Sequence, residues 1–213
     1  MDTPKSLRNQ KLGEKIVESL KTRFFEAWYF NESAEALEKI VSLIPRDHSV
    51  GWGGSMTLEE IGVKERLVKE GYTVIDRDKA KTPEERLGIM RQALLSDTFL
   101  ASSNAITEDG QLVNLDGGGN RVAAMIFGPR QVIVIAGMNK IVKSLDDAII
   151  RTRTIAAPLN SQRFPNSHAP CLRTGSCADC KSSDSICSYI VTTRLCKPAG
   201  RIKVILIGKD LGF

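Results

Sequence analysis

The chain has 213 residues, 42% hydrophobic and 26% charged, a composition that suits a water-soluble globular protein long enough to bury a core. No apolar run approaches the roughly 20 residues of a membrane span. Residues 1–30 are charged and interrupted, without the apolar centre of a secretory leader, so the cytoplasm is the expected compartment. The net charge of +5 is uneven: residues 139–203 carry eleven Lys/Arg against four Asp, while residues 1–138 come out near −2. A basic C-terminal third suits an anionic ligand or an acidic partner. Its basic residues are scattered rather than striped, and Trp28 and Trp52 lie elsewhere, which argues against nucleic acid.

In chain order, Lys5 to Trp28 is predicted as a helix, with Leu12, Ile16, Leu20, Phe24 and Trp28 recurring on one apolar face. Ser33 to Ile44 gives a second helix stopped by Pro45; together they make an N-terminal helical arm over residues 1–44. His48 to Gly51 reads as a short strand entering Gly51-Trp52-Gly53-Gly54-Ser55. Thr57 then opens a helix, with Glu60 completing a capping box. Strand, glycine loop and helix start can cradle a phosphate or carboxylate. The spacing matches neither a dinucleotide fingerprint nor a P-loop, and Glu59 and Glu60 compete with an anion. A structural turn and a ligand loop both remain open here, and the isolated His48 reads as a structural histidine.

Tyr72 to Asp76 is a predicted strand, and Thr82-Pro83-Glu84-Glu85 starts a helix with a second capping box. Thr98 to Ser102 is a strand leading into the stretch around which the chain is organised, Ala101 to Pro129. There Ser102-Ser103-Asn104 precedes an Ile106-Thr107 segment and a Glu108-Asp109-Gly110 turn. A short strand (Gln111 to Leu115), an Asp116-Gly117-Gly118-Gly119 loop and a helix opened by Asn120 follow. Asp-Gly between β-prone runs is a strong hairpin signal, and three consecutive glycines let backbone N–H groups approach a ligand. Gln131 to Ala136 is apolar throughout, as in a strand covered on both faces. Asn139 to Ala157 reads as a helix and Ile202 to Ile207 as the last strand. Alternating strands and helices predict one α/β domain with a mostly parallel sheet.

The compositional break is residues 160–197, polar and serine-rich, which holds every cysteine and sits before the last strand. A loop this long in a compact domain is usually functional. Cys171, Cys177, Cys180 and Cys187 have the spacing C-x5-C-x2-C-x6-C. Four thiols this close in sequence can converge on one centre. Zinc ribbons pair two Cys-x-x-Cys knuckles, whereas C-x5-C-x2-C lies nearer iron–sulfur spacings such as C-x4-C-x2-C. Neighbouring Arg173, Lys181 and Arg194 favour thiolate and an anionic cluster. An iron–sulfur cluster of the 4Fe-4S type is favoured, zinc is the alternative, and disulfides or free thiols stay open. Cys196 reads as a spare or a buried small hydrophobe, and His168 as an exposed loop residue.

Ordered blocks carry a family resemblance: Gly51 to Leu58, Ala101 to Gly110, Asp116 to Val122, Gly128-Pro129, Gly137-Met138-Asn139-Lys140-Ile141 and Ala156 to Asn160. In these the chain resembles the LUD-domain family, specifically the lactate utilization protein C group, from about residue 10 to its end. The resemblance implies an α/β fold of the NagB/RpiA/CoA-transferase type and a link to oxidation of L-lactate to pyruvate beside iron–sulfur partner proteins. The expected partners are those proteins, a small anionic organic ligand and a second copy of the chain. Ligand contacts are expected from Gly53, Gly54, Ser55, Asn104, Gly117, Gly118, Gly119, Asn120 and Arg121; Arg121 and Arg163 read either as a carboxylate clamp or as surface charges. A more distant similarity is to class I CoA transferases, whose nucleophilic glutamate sits in a Glu-Asn-Gly turn; here Glu108-Asp109-Gly110 departs at Asp109. The similarity makes Glu108 a candidate nucleophile, with a plain hairpin-tip residue as the other reading; Asp116 is the second candidate carboxylate of the Ala101 to Pro129 stretch. The readings in play are an iron–sulfur-linked lactate-oxidation accessory, a CoA- or phosphate-ester enzyme using Glu108, and a zinc-stabilised binding module.

Overall fold

The computed structural model describes residues 3–213; Met1 and Asp2 of the predicted arm lie outside the described residues. Helix α1 (Pro4–Thr22) is capped by Thr3, whose side chain accepts from the Ser6 N–H. It leads into β1 (Glu26–Phe30), α2 (Ser33–Ser42), β2 (Ser49–Trp52), α3 (Met56–Glu60), α4 (Val63–Lys69) and β3 (Thr73–Ile75). A 3-10 turn at Arg77–Lys79 precedes α5 (Pro83–Ala93), β4 (Thr98–Ala101), β5 (Ala105–Thr107), β6 (Leu112–Asp116) and α6 (Asn120–Ile126). Then come β7 (Gln131–Gly137), a 3-10 turn at Met138–Lys140, β8 (Ile141–Val142), α7 (Leu145–Arg151), a π-helical turn at Thr152–Ala156 and α8 (Ala157–Ser161). Helix α9 (Pro170–Thr174), β9 (Tyr189–Thr193) and β10 (Ile202–Ile207) close the chain.

Six strands form a fully parallel sheet in the order β1-β10-β7-β4-β2-β3. The apolar run of β7 is buried along its whole length because both faces are covered. Val132, Val134 and Ala136 pack with Ile16, Leu20 and Met125 on one side, while Ile133 and Ile135 pack with Ile40, Leu58 and Leu67 on the other. A second, mixed sheet in the order β8-β5-β6-β9 lies beside the first. The expected α/β class with a mostly parallel sheet is the one observed.

Four local expectations differ from the structure. The N-terminal helix ends at Thr22: the chain turns at Arg23 and Phe24, with Phe24 at φ +68°, and Glu26–Phe30 becomes an edge strand parallel to β10. The i+4 spacing runs on to Trp28 by coincidence, since Trp28 and Phe30 lie on one side of a strand. Within the described residues 3–44, α1 and α2 therefore flank a strand of the parallel sheet instead of forming a purely helical arm. The predicted helix over Asn139 to Ala157 begins only at Leu145, where Ser144 and Asp147 form a capping box. Before it, Ile141 pairs with Ile106 in the second sheet, a partner invisible to local periodicity. Ser55, not Thr57, caps α3 by accepting from the Leu58 N–H. Finally, the polar cysteine-bearing stretch holds a strand, β9, antiparallel to β6.

Candidate functional site

Strands β2, β4 and β7 are neighbours in the parallel sheet, so their carboxyl ends deliver three loops to one place. These are Gly53–Ser55, Ser102–Asn104 and Asn139–Lys140, at the end of the sheet where open α/β folds bind ligands. The second sheet adds Asp116–Gly118 from the end of β6, and α6 adds Asn120 and Arg121. From these segments Gly54, Ser55, Ser102–Asn104, Lys140, Asp116–Gly118, Asn120 and Arg121, together with Arg77, Arg86, Asn160, Arg163, Phe164, Ile186 and Phe213, line a cavity of about 250 Å³, the size of a small metabolite.

The cavity is strongly cationic. Among the described residues Arg77, Arg86, Arg121, Lys140 and Arg163 line it, against the one side-chain carboxylate of Asp116. Arg77 packs beside Gly54, where a Cβ would run into its guanidinium. Its Nε is buried without a hydrogen-bond partner among the described residues. Burial, then Arg86, pulls its pKa below the usual guanidinium range, though an arginine keeps its charge in any such setting. An arginine with an idle, desolvated donor is ready for an incoming anion.

Arg121 is different. Its Nη1 donates to the Ser102 carbonyl at 2.9 Å and to Asn114 Oδ1 at 2.6 Å. Its Nη2 donates to Asn104 Oδ1 at 2.8 Å and the Leu115 carbonyl at 2.7 Å, and its Nε lies 3.6 Å from Asp116 Oδ2. The protein itself absorbs these donors, so Arg121 ties the β4 loop to β6 and contributes charge rather than a free clamp. Asp116 accepts from the Gly119 and Val122 N–H groups at 3.0 and 3.3 Å, which holds the triple-glycine loop closed. Asn104 Oδ1 also accepts from the Leu115 N–H. Among the described residues the Arg163 guanidinium bonds only the Asn160 side chain, so it is freer to meet a ligand.

Lys140 is buried, with Nζ 2.8 Å from both Thr57 Oγ1 and Ser102 Oγ. Burial, followed by the nearby Arg151 and Arg121 charges, lowers its pKa to about 7.

Of the expected ligand contacts, Gly54, Ser55, Asn104, Gly117, Gly118, Asn120 and Arg121 line the cavity, while Gly53 and Gly119 lie outside its wall. Gly53 packs on the Arg121 side chain, and Gly119 (φ +80°) against Tyr189. Glu108 is elsewhere. At the hairpin tip it accepts from Lys15 Nζ at 2.9 Å and Lys143 Nζ at 3.0 Å, hydrogen bonds that pull its pKa below the usual carboxylate range. There it braces α1 against the segment before α7, outside the cavity wall. Lys140, Arg77 and Arg86 were not singled out from sequence. A lysine in a Gly-Met-Asn-Lys turn after an unbroken apolar strand is the one available signal.

The cysteine segment reaches this site. Ile186 lines the cavity, and a Cβ on Gly117 would stand 2.9 Å from the Ile186 backbone, so the triple-glycine loop and the residue before Cys187 touch. Cys171 is buried on α9, its thiol 3.3 Å from Ser161 Oγ; Cys177, Cys180 and Cys187 are half-buried, and all the cysteines are free thiols. Burial raises the pKa of Cys187, with the Cys171, Cys177 and Cys180 thiols adding to it, which places the four in one electrostatic neighbourhood. Among the described residues they do not close to metal-ligand geometry. Thiolates are the donor type that soft metals and clusters take. Arg153 pairs with Asp179, and His168 Nδ1 with Asp184 at 2.9 Å, fastening the segment. Cys196 is separate and fully buried, accepting from the Ile202 N–H.

The family model for the LUD domain matches residues 13–207. Among solved structures, a DUF162 family protein from Deinococcus radiodurans aligns over 93% of this chain and 98% of its own, at 11% identity and a TM-score of 0.54. Ribose 5-phosphate isomerase A from Neisseria gonorrhoeae covers 53% of this chain and 54% of its own, at 19% identity and a TM-score of 0.34. The enzyme from Methanocaldococcus jannaschii gives 53%, 55%, 19% and 0.33 in the same order. No curated protein matches.

Proposed function

The chain belongs to the LUD domain family, a family linked to lactate utilization, and we propose that it is a redox accessory of iron–sulfur-linked L-lactate oxidation. In this reading a small hydroxy- or keto-acid anion occupies the cavity. Arg77 and Arg163 meet its carboxylate, Arg121 and Asp116 hold the loops, and Asn104 and Ser55 stand along the wall. Cys171, Cys177, Cys180 and Cys187 would hold an iron–sulfur cluster, which supplies one-electron transfer when bound. The observation that carries the reading is adjacency: Ile186 lines the anion cavity and Cys187 follows it in the chain.

The test is anaerobic purification with iron and acid-labile sulfide analysis, followed by titration with L-lactate and pyruvate. The expected result is a brown protein whose colour is lost in Cys177→Ser and Cys180→Ser, and whose visible spectrum shifts with either acid. A colourless, iron-free protein would overturn the redox half. One zinc per chain without sulfide would turn the reading toward a metal-stabilised binding module.

A further inference from the structure

The nitrogen of Lys140 sits where three elements meet: the turn after β7 carries it, α3 supplies Thr57, and the loop after β4 supplies Ser102. Both hydroxyls have their own proton directed elsewhere. Thr57 Oγ1 donates to the Leu211 carbonyl at 3.3 Å and Ser102 Oγ to the Ser103 carbonyl at 3.4 Å, so both oxygens face the lysine as acceptors. A neutral primary amine has two N–H bonds and one lone pair. With both N–H bonds given to the two hydroxyls, the lone pair is the position left over on a nitrogen that lines the cavity.

The charges facing Lys140 favour that neutral form. Arg121 approaches from α6 and Arg151 from α7, with Glu60 of α3 as the opposing carboxylate, and Lys140 forms no ion pair among the described residues. Arg151 is itself anchored to the Asn139 and Asn104 carbonyls, so its charge stays in place. A purely structural lysine in this position gains little from such surroundings, since a buried ammonium is normally matched by a carboxylate. Desolvation without a paired carboxylate is instead the way amines are made nucleophilic.

We propose that Lys140 is a nucleophilic amine that forms a reversible imine with the carbonyl carbon of a small anionic keto or aldehyde compound held in this cavity. The proposal rests on the anion-binding half of the function proposed above and uses neither the cysteines nor an oxidant. The Lys140 nitrogen attacks the carbonyl carbon, and the C=O bond opens to a carbinolamine. The carbonyl oxygen then leaves as one water, carrying the two protons that began on the nitrogen, and a C=N bond remains. Ser102 and Thr57 already hydrogen-bond those two protons and are placed to pass them on. A 2-keto acid fits the site, its carboxylate toward the arginines and its carbonyl toward the lysine.

The experiment incubates the intact protein with pyruvate, glyoxylate or glyceraldehyde 3-phosphate in the presence of borohydride, then maps adducts by peptide mass spectrometry. Calorimetry with the same three compounds runs alongside. A single reduced adduct on the Lys140 peptide is expected, with a yield that rises several-fold from pH 6 to pH 8. It should be absent from Lys140→Met and undiminished in the surface variant Lys15→Met. Should Lys140→Met fail to fold, the adduct map of the unmodified protein decides. Calorimetric binding without an adduct at Lys140, or adducts spread over surface lysines, overturns the imine and leaves the anion cavity standing. Absence of binding for all three compounds removes both.

Discussion

A buried lysine whose pKa has fallen to about 7 couples stability to pH, and the sign follows from the proton count. Between about pH 7 and the unfolded value of 10.5 the unfolded chain holds this proton and the folded chain does not, so folding stability rises with pH across that window. Below it both states are protonated and the burial penalty is felt in full, on the order of 5 kcal/mol at most. Lys140→Met is therefore expected to raise the melting temperature more at pH 6 than at pH 9. The loss of hydrogen bonds to Thr57 and Ser102 offsets about 1–2 kcal/mol of the gain. Melting curves at the two pH values check this, and an equal shift at both would show that the lysine is charged throughout. At Gly54 a Cβ meets the far end of the Arg77 side chain, which can swing away without disturbing backbone. Gly54→Ala should keep the fold and weaken pyruvate binding roughly 10-fold, the scale of one charge-assisted hydrogen bond, as calorimetry would read. In contrast, Arg121→Ala should cost about 3 kcal/mol of stability in chemical denaturation, because it strands Asn104, Asn114 and two carbonyls.

Among the elements, the hairpin of β5 and β6 has two ends with different duties. Its tip is a brace: Glu108 joins Lys15 and Lys143, and Asp109 joins Arg23. Glu108→Gln should cost no more than about 1 kcal/mol and leave anion binding unchanged; a loss of binding would return Glu108 to the site. The other end, at Asp116 to Gly119, sits between the cavity and the cysteine segment. Gly117→Val pushes on the Ile186 backbone, which cannot yield as a side chain can. If the cysteines hold the proposed cluster, this variant should separate the two halves, so that lactate would still bind but would no longer alter the cluster's spectrum. The hairpin was legible because Asp-Gly with flanking β-prone residues is a local signal, and β10 matched its predicted span of Ile202 to Ile207. Strands β1, β8 and β9 were not. Each is stabilised by a partner far along the chain, and β9 is short and largely exposed, so no apolar alternation announces it.

At the scale of the whole molecule, the parallel sheet directs three loop ends to one cavity where, among the described residues, five basic side chains meet one side-chain carboxylate. Repulsion among Arg77, Arg86, Arg121 and Arg163 opposes folding, and a bound anion would offset it. Pyruvate at about 100 times its dissociation constant should add roughly 2.7 kcal/mol to the unfolding free energy. Thermal scans at increasing pyruvate, with a neutral analogue as control, would measure it. The sequence by itself determined the α/β class, the glycine loops, the cysteine spacing and the basic C-terminal third, because these depend on residue type and short-range order. Only the tertiary structure decided that the Arg121 Nη donors are spent on the protein while Arg77 Nε has no hydrogen-bond partner among the described residues, that Glu108 stands apart, and that the cysteine segment touches the triple-glycine loop. It also decided that Lys140, one basic residue among thirty, is the buried one at the cavity. Burial and hydrogen-bond pairing arise from contacts between residues distant in the chain, and local pattern carries no record of them.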